Sequence, residues 1–126
     1  MANSGAVLDL RQGTLFRVQG NAGEAWQAFE TARQTLEKAI ETQPDNAAFV
    51  SNLSWAYAGL GRKEEALRAS QRAVQLVPSW RDATEGPFFV TMQAQIRAWL
   101  GDKDAAIDQL RAVVGEVRQH IHAGVD

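Results

Sequence analysis

With 126 residues the chain has the length of one domain, and its 45% of hydrophobic residues is ordinary for a globular protein and argues against disorder. Thirteen basic and fifteen acidic residues give a net charge of -2, without the basic excess that marks most nucleic-acid binders. The lack of cysteine excludes disulfides and thiolate metal sites, and no apolar run approaches the roughly 20 residues that span a bilayer.

The amino terminus, residues 1–11, has no basic leader followed by a long apolar run, so it does not resemble a signal peptide. We expect neither nucleic acid nor membrane as a partner. The expected location is the cytoplasm, unless the chain belongs to a larger membrane-anchored protein.

The first predicted unit spans about residues 6–46. A helix from about 6 to 19 ends at Gly20, and Gly13 lies where a neighbouring helix must approach closely. The next glycine that follows a predicted first helix is Gly61, 41 residues after Gly20. This spacing is seven residues more than about 34, a common period of repeats built from two helices. Seven residues are close to two helical turns, which predicts a lengthened second helix from about 22 to 42.

The second predicted unit spans residues 47–80 and has both helix ends marked. Asn46 is a suitable N-cap for its first helix, and Gly61 suits the left-handed position after that helix. A second helix starts at Lys63 and stops before Pro78. Helical spacing predicts that the first helix packs through Val50, Leu53, Ala56, Tyr57 and Leu60. Because the link between them is so short, the two helices must lie antiparallel.

The third predicted unit spans residues 87–118, with Pro87 in the first turn of its first helix. Its second helix is predicted to pack through Ala106, Ile107, Leu110, Val113 and Val114. Residues 80–86 form a predicted ordered linker, and 119–126 a tail. Trp26 is expected to pack on the first helix of its own unit, and Trp80 to pin the linker.

The middle unit resembles the tetratricopeptide repeat, through Leu53, Ser54, Tyr57, Gly61, Ala66, Ala73 and Pro78. Ser54 replaces the usual glycine, Ser70 replaces the usual aromatic residue, and in the third unit Arg97 replaces the usual tyrosine. The resemblance implies an all-α solenoid: one domain, 1–126, of three antiparallel helix hairpins with about six helices. It also implies a protein that binds other proteins or peptides.

The wider spacing also resembles the tail region of large bacterial signalling proteins, in which such repeats follow serine/threonine kinase, cyclase or β-propeller modules. This resemblance covers about residues 8–114 and ends at Gly115. No catalytic residue can be carried over from those proteins, because their catalytic modules are not represented in this chain.

No constellation in the sequence indicates catalysis, so we expect no enzyme, no cofactor and no metal. His120 and His122, two residues apart, would point about 200 degrees apart on a helix. Gly20 and Gly23 belong to a turn, because neither a strand before them nor a Lys-Ser/Thr pair after them completes a phosphate loop.

In a solenoid of this kind the first helices line a concave groove. Side chains of these helices that packing does not use are the predicted partner-binding residues: Arg17, Ser51, Asn52, Trp55, Phe88, Thr91, Gln95 and Trp99. Trp55 and Trp99 carry most weight, since large aromatic rings are typical interface anchors. The alternative is that Trp55 packs on the first unit and Trp99 fills the junction between units.

Some tetratricopeptide domains grip the C-terminal carboxylate of chaperones with basic and Asn side chains. The corresponding places here hold Leu10, Thr14, Asn52, Phe88 and Met92, of which only Asn52 agrees. Without cations that ligand is disfavoured, and an apolar or neutral extended segment suits the groove better.

The sequence therefore predicts a non-catalytic module, an adaptor, scaffold or regulatory domain, that binds a protein or peptide. The alternative is self-association through the terminal helix faces, of which a homodimer is one form. The last helix offers evidence for both: Arg111, Glu116, Arg118 and Gln119 favour a solvated cap, whereas Val113, Val114, Val117 and Ile121 could pair.

Overall fold

Five helices of the chain can be bounded at both ends in the computed structural model. These are α1 (Ala2–Val18), α2 (Ala22–Thr42), α3 (Ala47–Gly59), α4 (Lys63–Leu76) and α5 (Gly86–Trp99). The structure describes residues 2–77, 86–101, 104–105, 107–112, 114–115 and 118. A sixth helix, α6, is represented by the described residues from 104 onward. Every regular element in these ranges is helical, which confirms the predicted all-α solenoid of helix hairpins.

The turns between paired helices are closed as the sequence predicts. Gly20, Gly61 and Gly101 have φ of 83°, 78° and 98°, a left-handed conformation in which glycine carries no steric cost. At the start of α3 the Asn46 side chain accepts a hydrogen bond of 3.1 Å from the backbone N–H of Phe49. This satisfies one of the four amides that a helix start leaves unpaired.

The second helix of the first hairpin is longer than that of the second, as expected: α2 has 21 residues and α4 has 14. The first helix of the first hairpin, α1, begins at Ala2, about four residues before the predicted start at residue 6. The predicted linker and the tail, with Trp80, lie almost entirely outside the described residues, and α5 begins at Gly86. Among the described helices, none has both the length and the apolar content needed to cross a membrane.

Phe29 on α2 is the centre of the main core and is fully buried. Its ring lies so close to α1 that a Cβ placed on Gly13 would be 3.0 Å from it, which confirms Gly13 as a close-contact position. A Cβ on Gly59 of α3 would lie closer still to the same ring. Two helices that lack side chains at these points therefore enclose the phenyl ring.

Small residues also fill the close contacts of the second hairpin. Ser54 and Ser70, where the repeat pattern usually has glycine and an aromatic residue, are 1% and 2% exposed. Each hydroxyl donates to a backbone carbonyl three residues earlier, that of Ser51 at 2.6 Å and that of Leu67 at 2.9 Å. Because local acceptors satisfy both hydroxyls, the two serines can be buried at little cost.

A hydrogen-bonded chain joins α2 to α3. The Tyr57 hydroxyl donates to Glu37 at 2.7 Å, and the other carboxylate oxygen of Glu37 accepts from Arg33, also at 2.7 Å. Arg33 in turn is hydrogen-bonded to Glu30, which lowers the pKa of the Glu30 carboxyl. Burial, together with the hydrogen bond to Glu37, raises the pKa of the Tyr57 hydroxyl.

Replacing Tyr57 with phenylalanine is expected to reduce the free energy of unfolding by about 1 kcal/mol near neutral pH, the value of a typical hydrogen bond. The folded state holds the phenolic proton more tightly than the unfolded state, whose tyrosine titrates near pH 10. The stabilisation is therefore fully present below about pH 10 and is lost above it, so the difference between the two proteins should shrink there.

Urea unfolding of the wild type and of Tyr57→Phe, at pH values from neutral to above about 10, measures the difference between their free energies of unfolding. Tyr57 is the single tyrosine of the chain, so tyrosinate absorbance reports its ionisation directly. A tyrosine that titrates near pH 10 in the folded protein, or a difference in stability that does not change with pH, would contradict the prediction.

Candidate partner-binding surface

The first helices of the three hairpins lie side by side, with α1 and α5 on either side of α3. α2 packs behind α1 and α3, and α4 packs behind α3 and α5. We call the predicted binding residues of the first helices that are exposed or half-buried the inner face; these are Arg17, Asn52, Trp55, Thr91, Gln95 and Trp99. Thr91, Gln95 and Trp99 follow one another at intervals of four residues, so they form one row along α5.

Trp55 joins α3 to α1. Its indole N–H donates to the Thr14 hydroxyl at 3.1 Å, and that hydroxyl donates to the backbone carbonyl of Leu10 at 2.9 Å. The ring is half-buried and packs against the core clusters on both sides of α3. Because both ends of this chain of hydrogen bonds are satisfied within the protein, Trp55 is a fixed part of the surface.

Trp99 joins α5 to the first hairpin. Its ring lies edge-on to Phe29, with centroids 5.6 Å apart and an interplanar angle of 62°. The Arg17 guanidinium of α1 lies 4.5 Å from the centroid of the Trp99 ring. A contact of this kind is worth about 0.5–1 kcal/mol at an exposed site. The contact thus connects α1 and α5, the two outer helices of the row.

Of the eight predicted groove residues, the structure brings Arg17 and Trp99 into contact and packs Trp55 against the same two core clusters as Trp99. Both tryptophans therefore take part in packing. Gln95 is exposed, and Thr91 and Asn52 are half-buried. Ser51 is a correction: it is 2% exposed, because its place on α3 faces the interior, so it is a packing residue. The side chain of Phe88 lies outside the described part of the structure.

The places that would hold a carboxylate clamp are used for packing in α1. Leu10 is fully buried, and Thr14 is engaged by the Trp55 indole. From the sequence, Thr14 is only a missing cation, and this contact was not foreseen. The 41 residues between Thr14 and Trp55 equal the spacing of Gly20 and Gly61, so the two residues occupy equivalent positions on adjacent first helices. A polar contact was missed in the third hairpin too: Gln109 of α6 hydrogen-bonds to both Gln93 and Arg97 of α5.

The six residues of the inner face are aromatic, polar or basic. Its described side chains offer aromatic rings, amides, hydroxyls and one guanidinium, and none of its six residues is a carboxylate or an imidazole. Amides and hydroxyls can donate to and accept from the backbone of an extended peptide, while the indole rings provide apolar area. No group on this face has the character of a general base.

The two ends of the solenoid expose apolar side chains. On α1, Leu8, Leu15 and Val18 are 56%, 54% and 81% exposed. On α6, Ile107, Leu110 and Val114 are 47%, 37% and 54% exposed, although the sequence pattern predicts them in the core. Among the described residues, no further helix follows α6 to cover Leu110, whose counterpart Phe29 on α2 is covered by α3. We call these two sets of three residues the α1 end face and the α6 end face.

Trp26 is also placed differently from the expectation. Trp26 comes directly after Ala25, which is buried. It therefore points about 100 degrees away from the packed side of α2. Its side chain is 54% exposed, so it is not a buried packing residue between α2 and α1.

Comparison with known proteins supports the repeat architecture. Residues 24–83, from α2 onward, match the sequence profile described as tetratricopeptide repeat. A stretch of 70 residues is 33% identical to Protein STIP1 homolog of Dictyostelium discoideum, covering 56% of this chain and 12% of that relative. The chain thus spans about an eighth of that protein's length. Together with the helix hairpins, the profile match shows a tetratricopeptide-like helical repeat fold.

Proposed function

We propose that this protein is a non-catalytic interaction module that binds an extended segment of a protein or peptide along the inner face. The observation that carries the proposal is that the half-buried rings of Trp55 and Trp99 are both held in place by the protein and pack against the same two core clusters, on helices that also carry exposed or half-buried polar side chains. Rigid aromatic rings lose little conformational entropy on binding, which is why they are effective anchors at interfaces. Tetratricopeptide-like repeats typically bind proteins or peptides, and the matched profile is of that kind.

The ligand that fits this surface is neutral or apolar and extended. Arg17 is the one charged side chain on the inner face, and its guanidinium already lies on the Trp99 ring. Gln95 lies four residues before Trp99 on α5, so its amide projects beside that ring. We therefore propose that the ligand backbone hydrogen-bonds with Gln95 and that one of its apolar side chains rests on the indole rings.

The proposal is tested with peptides selected from a displayed random library against the wild-type protein. Gln95→Ala and Arg17→Ala are suitable variants because both side chains are exposed and neither is buried in the core. We expect each to weaken binding of the selected peptides by about tenfold, corresponding to 1.4 kcal/mol.

Gln75→Ala on α4 is the matched control, since Gln75 is an exposed glutamine away from the inner face, and it should leave binding unchanged. The proposal fails if selected peptides bind the Gln95 and Arg17 variants as tightly as the wild type. It also fails if no peptide is enriched over a library passed across an unrelated protein.

Self-association is a second candidate function, favoured by the exposed apolar residues of the two end faces. A solenoid usually ends in polar capping surfaces, and large exposed apolar side chains at both ends depart from that rule. We propose that copies of the chain associate through these terminal faces. The inner face remains available in such an assembly, so the two functions are compatible.

The spacings of 41 and 40 residues between the turn glycines support a narrower proposal. They fit the resemblance to the tail regions of bacterial signalling proteins, in which the module would recruit a partner to a kinase, cyclase or propeller domain. A cytoplasmic location is part of the same proposal.

A further inference from the structure

We propose that copies of this chain stack head to tail, with the α1 end face of one copy on the α6 end face of the next. This inference rests on the self-association proposed above and specifies its geometry. In the proposed contact, α1 of one copy covers α6 of another in the way that α3 covers α2 and α5 covers α4 within the chain.

The alignment of the three hairpins follows from their turn glycines. Gly20, Gly61 and Gly101 occupy the same left-handed position after a first helix, and they lie 41 and 40 residues apart. Residues at the same distance before these glycines occupy equivalent positions on α1, α3 and α5. In the same way, residues at the same distance after them occupy equivalent positions on α2, α4 and α6. A residue of α1 can therefore be compared directly with its two counterparts inside the chain.

Leu8 is equivalent to Phe49 of α3 and Phe89 of α5. Phe49 packs against the core of the first hairpin, and Phe89 is 6% exposed in a cluster that includes Ala73 of α4. Both phenylalanines thus pack on the hairpin that precedes them. Leu8 is 56% exposed because its own helix has no preceding hairpin in the described structure.

Leu15 repeats this pattern two turns further along α1. Its counterparts, Ala56 of α3 and Ile96 of α5, are 0% and 2% exposed. Ala56 belongs to the core of the first hairpin, and Ile96 packs with Ala66 of α4. At both positions the counterparts in α3 and α5 are apolar and covered, whereas in α1 the residue is apolar and uncovered. The α1 end face thus has the form of a helix that packs on a preceding hairpin.

The α6 end face is equivalent to the surface that receives such a helix. Leu110 of α6 is equivalent to Phe29 of α2 and Ser70 of α4, which are 0% and 2% exposed. Phe29 is enclosed by Gly59 from the following hairpin, whereas Leu110 is 37% exposed. Leu110 lines an open recess of about 350 Å³, together with Ile107 and Val114 of the same end face. Gly115, Arg111 and Arg118 complete the lining.

The two end faces are different surfaces, so the proposed contact is heterologous. A heterologous contact does not pair a surface with itself, and repetition of the contact gives a ring or an open stack rather than a closed dimer. Because each hairpin of a solenoid contacts only its neighbours, a second copy can continue the stack without rearrangement of the first. Pairing of two α6 end faces would instead be isologous and would stop at two chains.

Complementation between two broken variants tests this geometry. Leu8→Glu with Leu15→Glu breaks the α1 end face, and Ile107→Glu with Leu110→Glu breaks the α6 end face. By sedimentation equilibrium we expect the wild-type mass to rise above 13.8 kDa with concentration, and each variant alone to stay at the monomer mass. An equimolar mixture should form a 1:1 complex, because each variant retains the face that the other needs, and should grow no larger.

Gln71→Glu with Gln75→Glu on α4 is the matched control, since both glutamines are exposed, and this variant should associate as the wild type does. Circular dichroism of every variant establishes that the helices are retained.

The inference is wrong if the wild type stays monomeric at all concentrations. It is equally wrong if the variant with the broken α1 end face still dimerises alone while only the α6 variant is monomeric, although self-association would then survive as an α6 pairing. Peptide binding by either variant reports on the inner face separately, so failure of the stack is distinguishable from failure of the proposed binding site.

Discussion

Replacement of Phe29 with alanine is expected to reduce the free energy of unfolding by about 3–5 kcal/mol, the usual cost of deleting a buried aromatic ring. Phe29 is fully buried, its ring fills the space that Gly13 and Gly59 leave open, and it contacts Trp99 edge-on. Two glycines offer no side chain that could move into the cavity. The loss should therefore lie toward the upper end of the range, and is measured by urea unfolding.

Trp26→Ala is the matched control for this change. It removes a larger aromatic ring three residues earlier on the same helix, but from a side chain that is 54% exposed. Its expected cost is below about 1 kcal/mol. If Phe29→Ala abolishes folding altogether, Phe29→Leu measures the same site at lower cost. Equal destabilisation by the Trp26 and Phe29 variants would contradict the assignment of Phe29 as the centre of the core.

Replacement of Gly59 with valine is expected to cost about 3 kcal/mol, toward the upper end of the range for overpacking. Any Cβ at this position would overlap the Phe29 ring, which is itself held by α1 on its other side. Gly23→Val is the control, because Gly23 is also helical and a Cβ there meets nothing within 4 Å. The difference between the two variants in urea unfolding isolates the packing cost from helix propensity.

A double-mutant cycle identifies the clash. If the cost of Gly59→Val arises from Phe29, then adding Phe29→Leu should recover part of it, and the two changes should deviate from additivity by at least about 0.5 kcal/mol. Strictly additive effects would show that the valine meets a different obstacle.

The elements of this fold are predictable because their signals are local. Three signals act within a few positions of one another: a glycine after a helix, an asparagine before one, and apolar residues that recur every three or four positions. Gly61 and Asn46 therefore indicate their structural roles directly, and both are confirmed. The lengthened α2 is predictable for the same reason, since only whole turns restore the packed side of a helix to its place.

The inner face is less predictable because its contacts join residues far apart in the chain. Periodicity placed Trp55, Trp99 and Arg17 on the correct helices but could not show that Arg17 reaches Trp99 across α3. Ser51 lies at the edge of the packed side of α3, where a small change in helix rotation separates a buried residue from an exposed one. Helical spacing does not determine that rotation to better than one residue.

The exposed residues of α6 reveal a different limit. A pattern of apolar residues predicts that a helix has a side suited to packing, but not that another helix covers it. Ile107 and Leu110 have the correct spacing for a core, yet they are 47% and 37% exposed in the described structure. The sequence therefore indicates that a helix has an apolar side, and only the structure shows whether another part of the chain packs on it.

The length of α2 has a consequence for how such a chain can change. α2 has seven more residues than α4. Seven residues advance a helix by about 10 Å and turn it through nearly two full turns, about 20 degrees less than 720 degrees. Leu36 and Ile40 in this part of α2 continue the buried stripe and connect the cores of the first two hairpins. Insertions or deletions of whole heptads in α2 would thus displace the next hairpin along the helix axis while keeping nearly the same side of α2 packed. The register between hairpins can therefore vary without change to the side chains that pack.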